Sequence, residues 1–313
     1  MSGRVVVLTG GVGGAKLVLG LAQIMPQERI TAIVNTGDDF RHLGLHVSPD
    51  IDTLLYTLSG KASVARGWGR ESESWNFMEA LCSLEGPDWF ALGDGDLALH
   101  VLRTARLNAG TPLSAITEQF AKAWQIGVRI LPMSNDPVST HLDTDEGPMS
   151  FQTYFVARRC EPKVKSIGFM GGAEARAAPG VIDAILEPMA EVRAVLIAPS
   201  NPYLSIDPIL ALTDIRDALA RAKVPVVAVS PLVGGKAVKG PTAKLMGELL
   251  IPVTPCAIAA HYAGVIQGLL IDERDSAEGV EIACAKIDTL MLSLDDRMRV
   301  ARAALELAQQ IAR

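Results

Sequence analysis

Cysteine is scarce in this chain of 313 residues. Cys82, Cys160, Cys256 and Cys284 stand far apart, and no Cys-x-x-Cys pair occurs. That spacing favours neither a disulfide framework nor a zinc site, and fits small buried apolar groups in a reducing, cytoplasmic setting. Basic residues are outnumbered: 29 Lys and Arg face 35 Asp and Glu, for a net charge of −6. A general nucleic-acid binder is usually basic, so that class is set aside. Aromatic residues make up 5% of the chain, and Trp68, Trp75, Trp89 and Trp124 all fall between residues 61 and 187. The apolar stretch Val5–Leu8 is too short for a secretory signal. No internal repeat, linker or low-complexity segment stands out.

Apolar residues are abundant, at 49%. Residues 249–271 contain no Lys, Arg, Asp or Glu. A membrane-spanning helix needs about 20 apolar residues, so this stretch has to be weighed. Pro252 and Pro255 break it, His261 and Gln267 interrupt it, and Gly264 and Gly268 weaken the rest. A broken strand–loop–helix–strand passage in a soluble core is expected instead.

Unbroken apolar runs recur at Val5–Leu8, Ile30–Val34, Val192–Ala198, Val224–Val229 and Leu269–Ile271. Continuous rather than alternating runs predict parallel strands buried on both faces. Helices are predicted over Ala15–Ile24, Asp207–Ala222, Thr242–Leu250, Ala257–Ile266 and Asp295–Ile311. Asp207 ahead of Pro208 reads as a cap, and Asp295 opens the last helix. The expected fold is α/β: a Rossmann-like, doubly wound, mostly parallel sheet with an inserted α+β subdomain. Residues 1–60 and 188–313 would form the nucleotide-binding core and residues 61–187 the insert. Within the insert a helix is expected at Pro112–Trp124, with short strands near Val128–Leu131, Met149–Thr153 and Val164–Phe169.

The first strand runs into Thr9-Gly10-Gly11-Val12-Gly13-Gly14-Ala15-Lys16 and then a helix. Glycines permit positive φ and close backbone approach, and free N–H groups at a helix start favour an anion. Gly11, Gly13, Gly14 and Lys16 are therefore candidate phosphate contacts; a tight turn that only packs the helix is the competing reading. A Walker A loop would need Ser or Thr after Lys16, where Leu17 stands, and a dinucleotide fingerprint would need glycine at Lys16.

Four Asp-bearing loops follow: Asn35-Thr36-Gly37-Asp38-Asp39, Ser48-Pro49-Asp50-Ile51-Asp52, Gly93-Asp94-Gly95-Asp96 and Ser134-Asn135-Asp136-Pro137. Segments just past parallel strands converge on one crevice, and carboxylates beside a phosphate loop point to Mg²⁺. Each loop alone is also ordinary turn chemistry. Asp50 and Asp52 carry the most weight, as metal ligands or catalytic groups. His100 and His141 lie beside acidic loops as possible substrate contacts, and no histidine spacing suggests a metal triad. No Gly-x-Ser-x-Gly elbow occurs, which disfavours acyl chemistry. Two further polar loops, Pro199-Ser200-Asn201-Pro202 and Ser230-Pro231 through Gly235-Lys236, Lys239 and Lys244, follow strands and suit a nucleotide diphosphate and its base.

Taken in order, Thr9–Leu17, Val34–Asp39, Ser48–Thr53, Leu131–Val138, Ile197–Pro202, Val229–Met246 and Asp272–Asp275 resemble the 2-phospho-L-lactate transferase family (CofD/FbiA) of coenzyme F-420 biosynthesis. The resemblance spans nearly the whole chain. It implies transfer of a phospho-acid from an acid-diphospho-5'-guanosine donor to the ribityl hydroxyl of a deazaflavin, with release of GMP. It also implies a Mg²⁺ requirement and a homodimer. Under it, Gly11, Gly13, Gly14 and Lys16 hold phosphate, and Asp50 and Asp52 hold Mg²⁺ or orient the hydroxyl. Asn35, Asp38, Asp94, Asp96 and Asp136 complete the site, while Ser200, Asn201, Ser230 and Gly235 contact the guanosine diphosphate. The family often carries Gly-Asp-Arg-Asp with a basic residue shortly before it. Gly95 and Ala91 replace those cations here, which leaves lactate, enolpyruvate and glycerate all open. The alternatives are a nucleotide-sugar-binding regulatory module from a wider related family and a nicotinamide dehydrogenase. In the family-like order, residues 249–271 read as a strand at Leu250–Val253, a Pro-marked loop, a helix at Ala257–Ile266 and a strand at Leu269–Asp272.

Overall fold

A computed structural model describes residues 3–63, 66–187, 192–238 and 240–312; Lys239 of the expected ligand loop lies outside them. In chain order the strands are β1 (Arg4–Thr9), β2 (Ile30–Val34), β3 (Phe40–His42), β4 (Leu45–Val47), β5 (Arg129–Pro132), β6 (Ser139–Thr144), β7 (Gly147–Ser150), β8 (Val164–Met170), β9 (Val192–Ile197), β10 (Val226–Val229), β11 (Leu232–Val233), β12 (Lys236–Ala237), β13 (Gly268–Asp272) and β14 (Ala283–Ile287). The helices are α1 (Gly11–Ile24), α2 (Pro49–Leu58), α3 (Asn76–Ser83), α4 (Asp94–Asn108), α5 (Leu113–Ala123), α6 (Val181–Leu186), α7 (Asp207–Leu210), α8 (Thr213–Arg221), α9 (Thr242–Glu248), α10 (Pro255–His261) and α11 (Leu294–Ile311).

Seven strands form the central sheet in the order β14-β13-β10-β9-β1-β2-β5, and every neighbouring pair is parallel. The apolar runs were continuous because the sheet is covered twice. Val5 and Val7 of β1 join one core with α1, α2, α5 and α11, while Val6 and Leu8 join the other with α6, α8 and α10. The chain leaves β1 toward β2 and β5 on one side, and runs from β9 to β10, β13 and β14 on the other. The connections therefore diverge between β1 and β9, and a crevice opens at the C-terminal ends of those two strands.

Several local expectations change. The stretch 61–187 is not one insert, because β5 pairs with β2 in the central sheet and α5 packs in the same core. An antiparallel sheet of β7-β6-β8 lies apart from it. The expected strand at Met149–Thr153 ends at Ser150, and a wide helical turn follows at Thr153–Ala157. The expected helix Asp207–Ala222 is split into α7 and α8. Asp207 is not an N-cap: it is the first residue of α7 and closes another wide turn, Pro202–Ile206, by donating its N–H to the Pro202 carbonyl, while its carboxylate meets His261 Nε2 at 2.8 Å. The last helix is opened by Ser293 and Asp296, whose side chains each bind the other's backbone N–H. In the uncharged stretch no strand forms at Leu250–Val253; Leu250 has positive φ and is 91% exposed. Thr254 then caps α10, and β13 is buried throughout. Among the described residues no helix is long and apolar enough to cross a membrane.

Candidate active site

A cavity of about 730 Å³ lies over the C-terminal ends of β1 and β9. One end is made of backbone and small polar side chains. Gly10, Gly11, Gly13 and Lys16 come from the turn into α1, Pro199 to Asn201 from the loop after β9, and Ser230 and Pro231 from the loop after β10. Gly11 takes φ +60°, which favours glycine. A Cβ on Gly13 would stand 2.5 Å from the Pro199 carbonyl oxygen, so glycine lets the two loops touch. Gly14 is buried, and a Cβ there would meet Thr9 and stand 2.8 Å from Ser200 Oγ. Its role is to pack the helix on the strand, and it does not line the cavity. Lys16 reaches across to donate to the Met291 carbonyl at 2.6 Å.

The carboxylates divide sharply. Asp50, in the first turn of α2, accepts from Gly11 N at 2.7 Å and from Asn35 Nδ2 at 3.0 Å. It thus occupies the first amide of α1. Asn35, fully buried after β2, also accepts from Gly37 N at 2.7 Å, which fixes the turn that carries Asp38. Burial pushes Asp50 up to about 6, against the pull of its Asn35 and Gly11 hydrogen bonds. Burial, and then the Asp50 charge, hold Asp38 well above the usual carboxylate range. Asp38 Oδ1 has no partner among the described residues. Two buried acids facing one cavity with an unpartnered oxygen suit a cation, and Asp38 with Asp50 are the residues that could hold it.

Asp52 lines the same cavity but is already engaged. Arg103, fully buried on α4, donates to both its carboxylate oxygens, to Oδ2 at 3.1 Å. Residues two apart on a helix do not share a face, so Asp50 and Asp52 point to different partners. Among the described residues no group of three or more His, Cys, Asp or Glu side chains is arranged to hold a metal. Any cation would therefore be completed by phosphate oxygens and water, the habit of Mg²⁺.

The other end of the cavity is aromatic. Trp68, Trp89, Phe90, Phe151 and Phe155 line it, with Tyr56 and Val47 beneath. Trp89, Phe90, Phe40 and His42 pack edge-on or tilted as one cluster. Asp96 sits at this end, bound by the Tyr56 hydroxyl and facing His100 Nε2 at 3.3 Å. Burial opposes its charge, but His100 and Tyr56 hold it below the usual carboxylate range. His100 also meets Arg103 NH1 through Nδ1 at 3.3 Å.

Other expected contacts lie elsewhere. Asp94 is turned away: its carboxylate accepts from Phe77 N, Ser74 Oγ, and Asn76 N and Nδ2, and these hold it down at about 2. It organises the start of α3. Asp136 is exposed and accepts from Arg176 N. Gly235 gives its N–H to Asp275 at the tip of the β11–β12 hairpin and does not line the cavity. His141 stays on β6, bonded to Ser139. Ser200 is tied to the Gly10 backbone, and Asn201 caps the turn that follows, leaving its Nδ2 buried with no partner among the described residues. Ser230 accepts from Leu232 N while lining the cavity. Sequence reasoning missed Arg103 behind Asp52 and the cavity-lining Tyr56, Gln152, Thr289 and Met291. The Trp-rich composition of 61–187 was the one signal for the aromatic wall.

Known proteins share this plan. Residues 5–306 match the family model of 2-phospho-L-lactate transferase CofD. A phosphoenolpyruvate transferase of Streptomyces griseus is 42% identical, with 98% of this chain and 99% of that protein covered. The corresponding protein of Streptomyces coelicolor is 41% identical with the same coverage. In fold, a crystal structure of a UPF0052-family protein from Bacillus halodurans superposes with a TM-score of 0.64 at 16% identity, covering 97% of this chain and 99% of that one. With the switch-point crevice, the glycine turn and a family match over almost its full length, this chain belongs to the 2-phospho-L-lactate transferase CofD family.

Proposed function

We propose that the protein transfers a phospho-acid group from an acid-diphospho-5'-guanosine donor to the ribityl hydroxyl of 7,8-didemethyl-8-hydroxy-5-deazariboflavin, releasing GMP, in coenzyme F-420 biosynthesis. The observation that carries this reading is the two-ended cavity. One end offers glycine backbone, Ser200, Asn201 and Ser230, suited to a nucleotide diphosphate. The other offers aromatic faces suited to a flat tricyclic ring. The hydroxyl oxygen of the acceptor forms the new P–O bond, the bond to the GMP phosphate breaks, and the hydroxyl proton leaves to a nearby carboxylate or to water. Names of the Streptomyces relatives favour phosphoenolpyruvate among the three candidate acids.

The chain's own residues act mainly by position. Gly11, Gly13 and Lys16 line the phosphate end, and Asn35 orients Asp50. Asp38 and Asp50 would hold Mg²⁺, which when bound neutralises charge on the phosphates. Asp52 acts through Arg103 as an anchor of α2 on α4. The deciding experiment mixes the protein with deazaflavin, Mg²⁺ and each acid-diphosphoguanosine and weighs the products. One acid–deazaflavin conjugate and GMP are expected, and D50N should lose about 10²–10³-fold in kcat. Tight nucleotide-sugar binding with no conjugate would favour the regulatory alternative, and D50N at full turnover would remove Asp50 from the scheme.

A further inference from the structure

Residues 61–63 pair with residues 69–71: Ser63 N donates to Gly69 O at 3.0 Å, Glu71 N donates to Lys61 O at 2.7 Å, and Ala62 bridges to Arg70. Trp68, just ahead of the second paired segment, is 53% exposed and lines the aromatic end of the cavity. It is flanked by Gly67 and Gly69, both at positive φ. An exposed indole between two glycines needs something to fix it. The Arg66 guanidinium stands 5.9 Å from its ring centroid, and the pairing of residues 69–71 with 61–63 ties the segment down beside it.

The Glu73 side chain is 2% exposed. Its Oε2 accepts from Gly95 N at 2.6 Å, in the first turn of α4, and its Oε1 accepts from Arg70 NH1 at 3.2 Å. Two glycines make room for it. A Cβ on Gly93 would fall on the Glu73 carboxylate, and one on Gly95 would fall on the Arg70 guanidinium, 3.0 Å from Glu73 Oε1. Asp94 returns the contact by holding Ser74, Asn76 and Phe77. The glycines of Gly93-Asp94-Gly95-Asp96 thus admit a clasp, while Asp96 of the same turn faces the cavity.

We propose that Glu73 is a positioning residue for the acceptor: seated on the first turn of α4 and held by Arg70, it sets Trp68 opposite the segment carrying Trp89, Phe90 and Asp96. The inference rests on the aromatic end being the acceptor's place. An acid at a helix start is stabilising in itself, so a loss of stability alone would not distinguish this role.

The test separates acceptor from donor. E73Q and G95A should each weaken deazaflavin binding, read from the ligand's own fluorescence, by about tenfold, with the donor KM within about twofold of wild type. W68A should weaken it as much, and adding E73Q to W68A should cost under about twofold more, because both act on one contact. Should E73Q fail to fold, R70A carries the same expectation. Unchanged acceptor binding in E73Q and G95A, equal rises for donor and acceptor, or independent effects of E73Q and W68A would each overturn the proposal while leaving the acceptor reading intact. If the wild-type protein itself does not bind deazaflavin, the acceptor reading falls and this inference falls with it.

Discussion

Two helices open with the same Asp-x-Asp spacing and use it in opposite ways. On α2 the first acid, Asp50, faces the glycine turn, and the second, Asp52, is spent on Arg103. On α4 the first acid, Asp94, is spent on the start of α3, and the second, Asp96, faces the cavity. Side chains two apart on a helix diverge, and in each pair one acid is consumed by a protein partner: Asp52, although it lines the cavity, by Arg103, and Asp94 by the start of α3. Which one serves is decided by the neighbouring element: a buried guanidinium under α2, and a row of free N–H groups beside α4.

The largest effect is expected at Asp52. D52N leaves the Arg103 guanidinium buried without its charge partner and should cost about 3–5 kcal/mol, measured by urea unfolding. Replacing Asp52 and Arg103 together with apolar residues of similar volume should recover much of that loss. A D52N protein as stable as wild type would mean that the pair is not what α2 relies on.

The next effect concerns the acids left facing the cavity. Asp50 sits at about 6 instead of 3.8, so the folded state holds its proton more tightly than the unfolded chain does. Such a group favours folding below pH 4 or so, and that contribution is lost as pH rises through 6. Asp38 is shifted in the same direction. Metal-free protein should lose on the order of 2–3 kcal/mol over that window through Asp50. D50N should flatten this part of the pH profile and be more stable than wild type at pH 8. A wild-type profile that rises between pH 4 and pH 7 with the same slope in D50N would contradict the assignment.

The smallest effect belongs to Asp94. Its low pKa makes a contribution present above the ordinary carboxylate value and lost as pH falls toward 2. D94A should lower Tm by less than about 5 °C, and leave turnover at saturating substrate near wild type. A collapse of kcat in D94A would return Asp94 to the chemistry.

Much of the fold was legible because burial on both faces writes itself as unbroken apolar runs, and β1, β2, β9, β10 and β13 all carry such runs. The glycine turn was legible because few sequences other than an anion-binding or close-packed βα turn place so many glycines there. The split of Asp207–Ala222 was not, since the same residues satisfy a continuous helix locally. Nor was the core membership of β5, whose short run Arg129–Pro132 resembles any edge strand. At the site, Asp38, Asp50 and Asp96 line one cavity, while Asp136 and Gly235 do not, because a polar loop residue reads alike whether it faces a ligand or its neighbour's backbone.

Residue order alone carries the layered α/β plan, the glycine turn after β1 and the reservoir of acids past the strand ends. These depend on local backbone freedom and on which residues shun water. Which acids are left to face the cavity is set by contacts made across the fold. Arg103 reaches Asp52 across 51 positions, and the Asp94 and Glu73 clasps join segments about 20 positions apart. Charge pairing of this kind depends on distance in space, which residue order does not record.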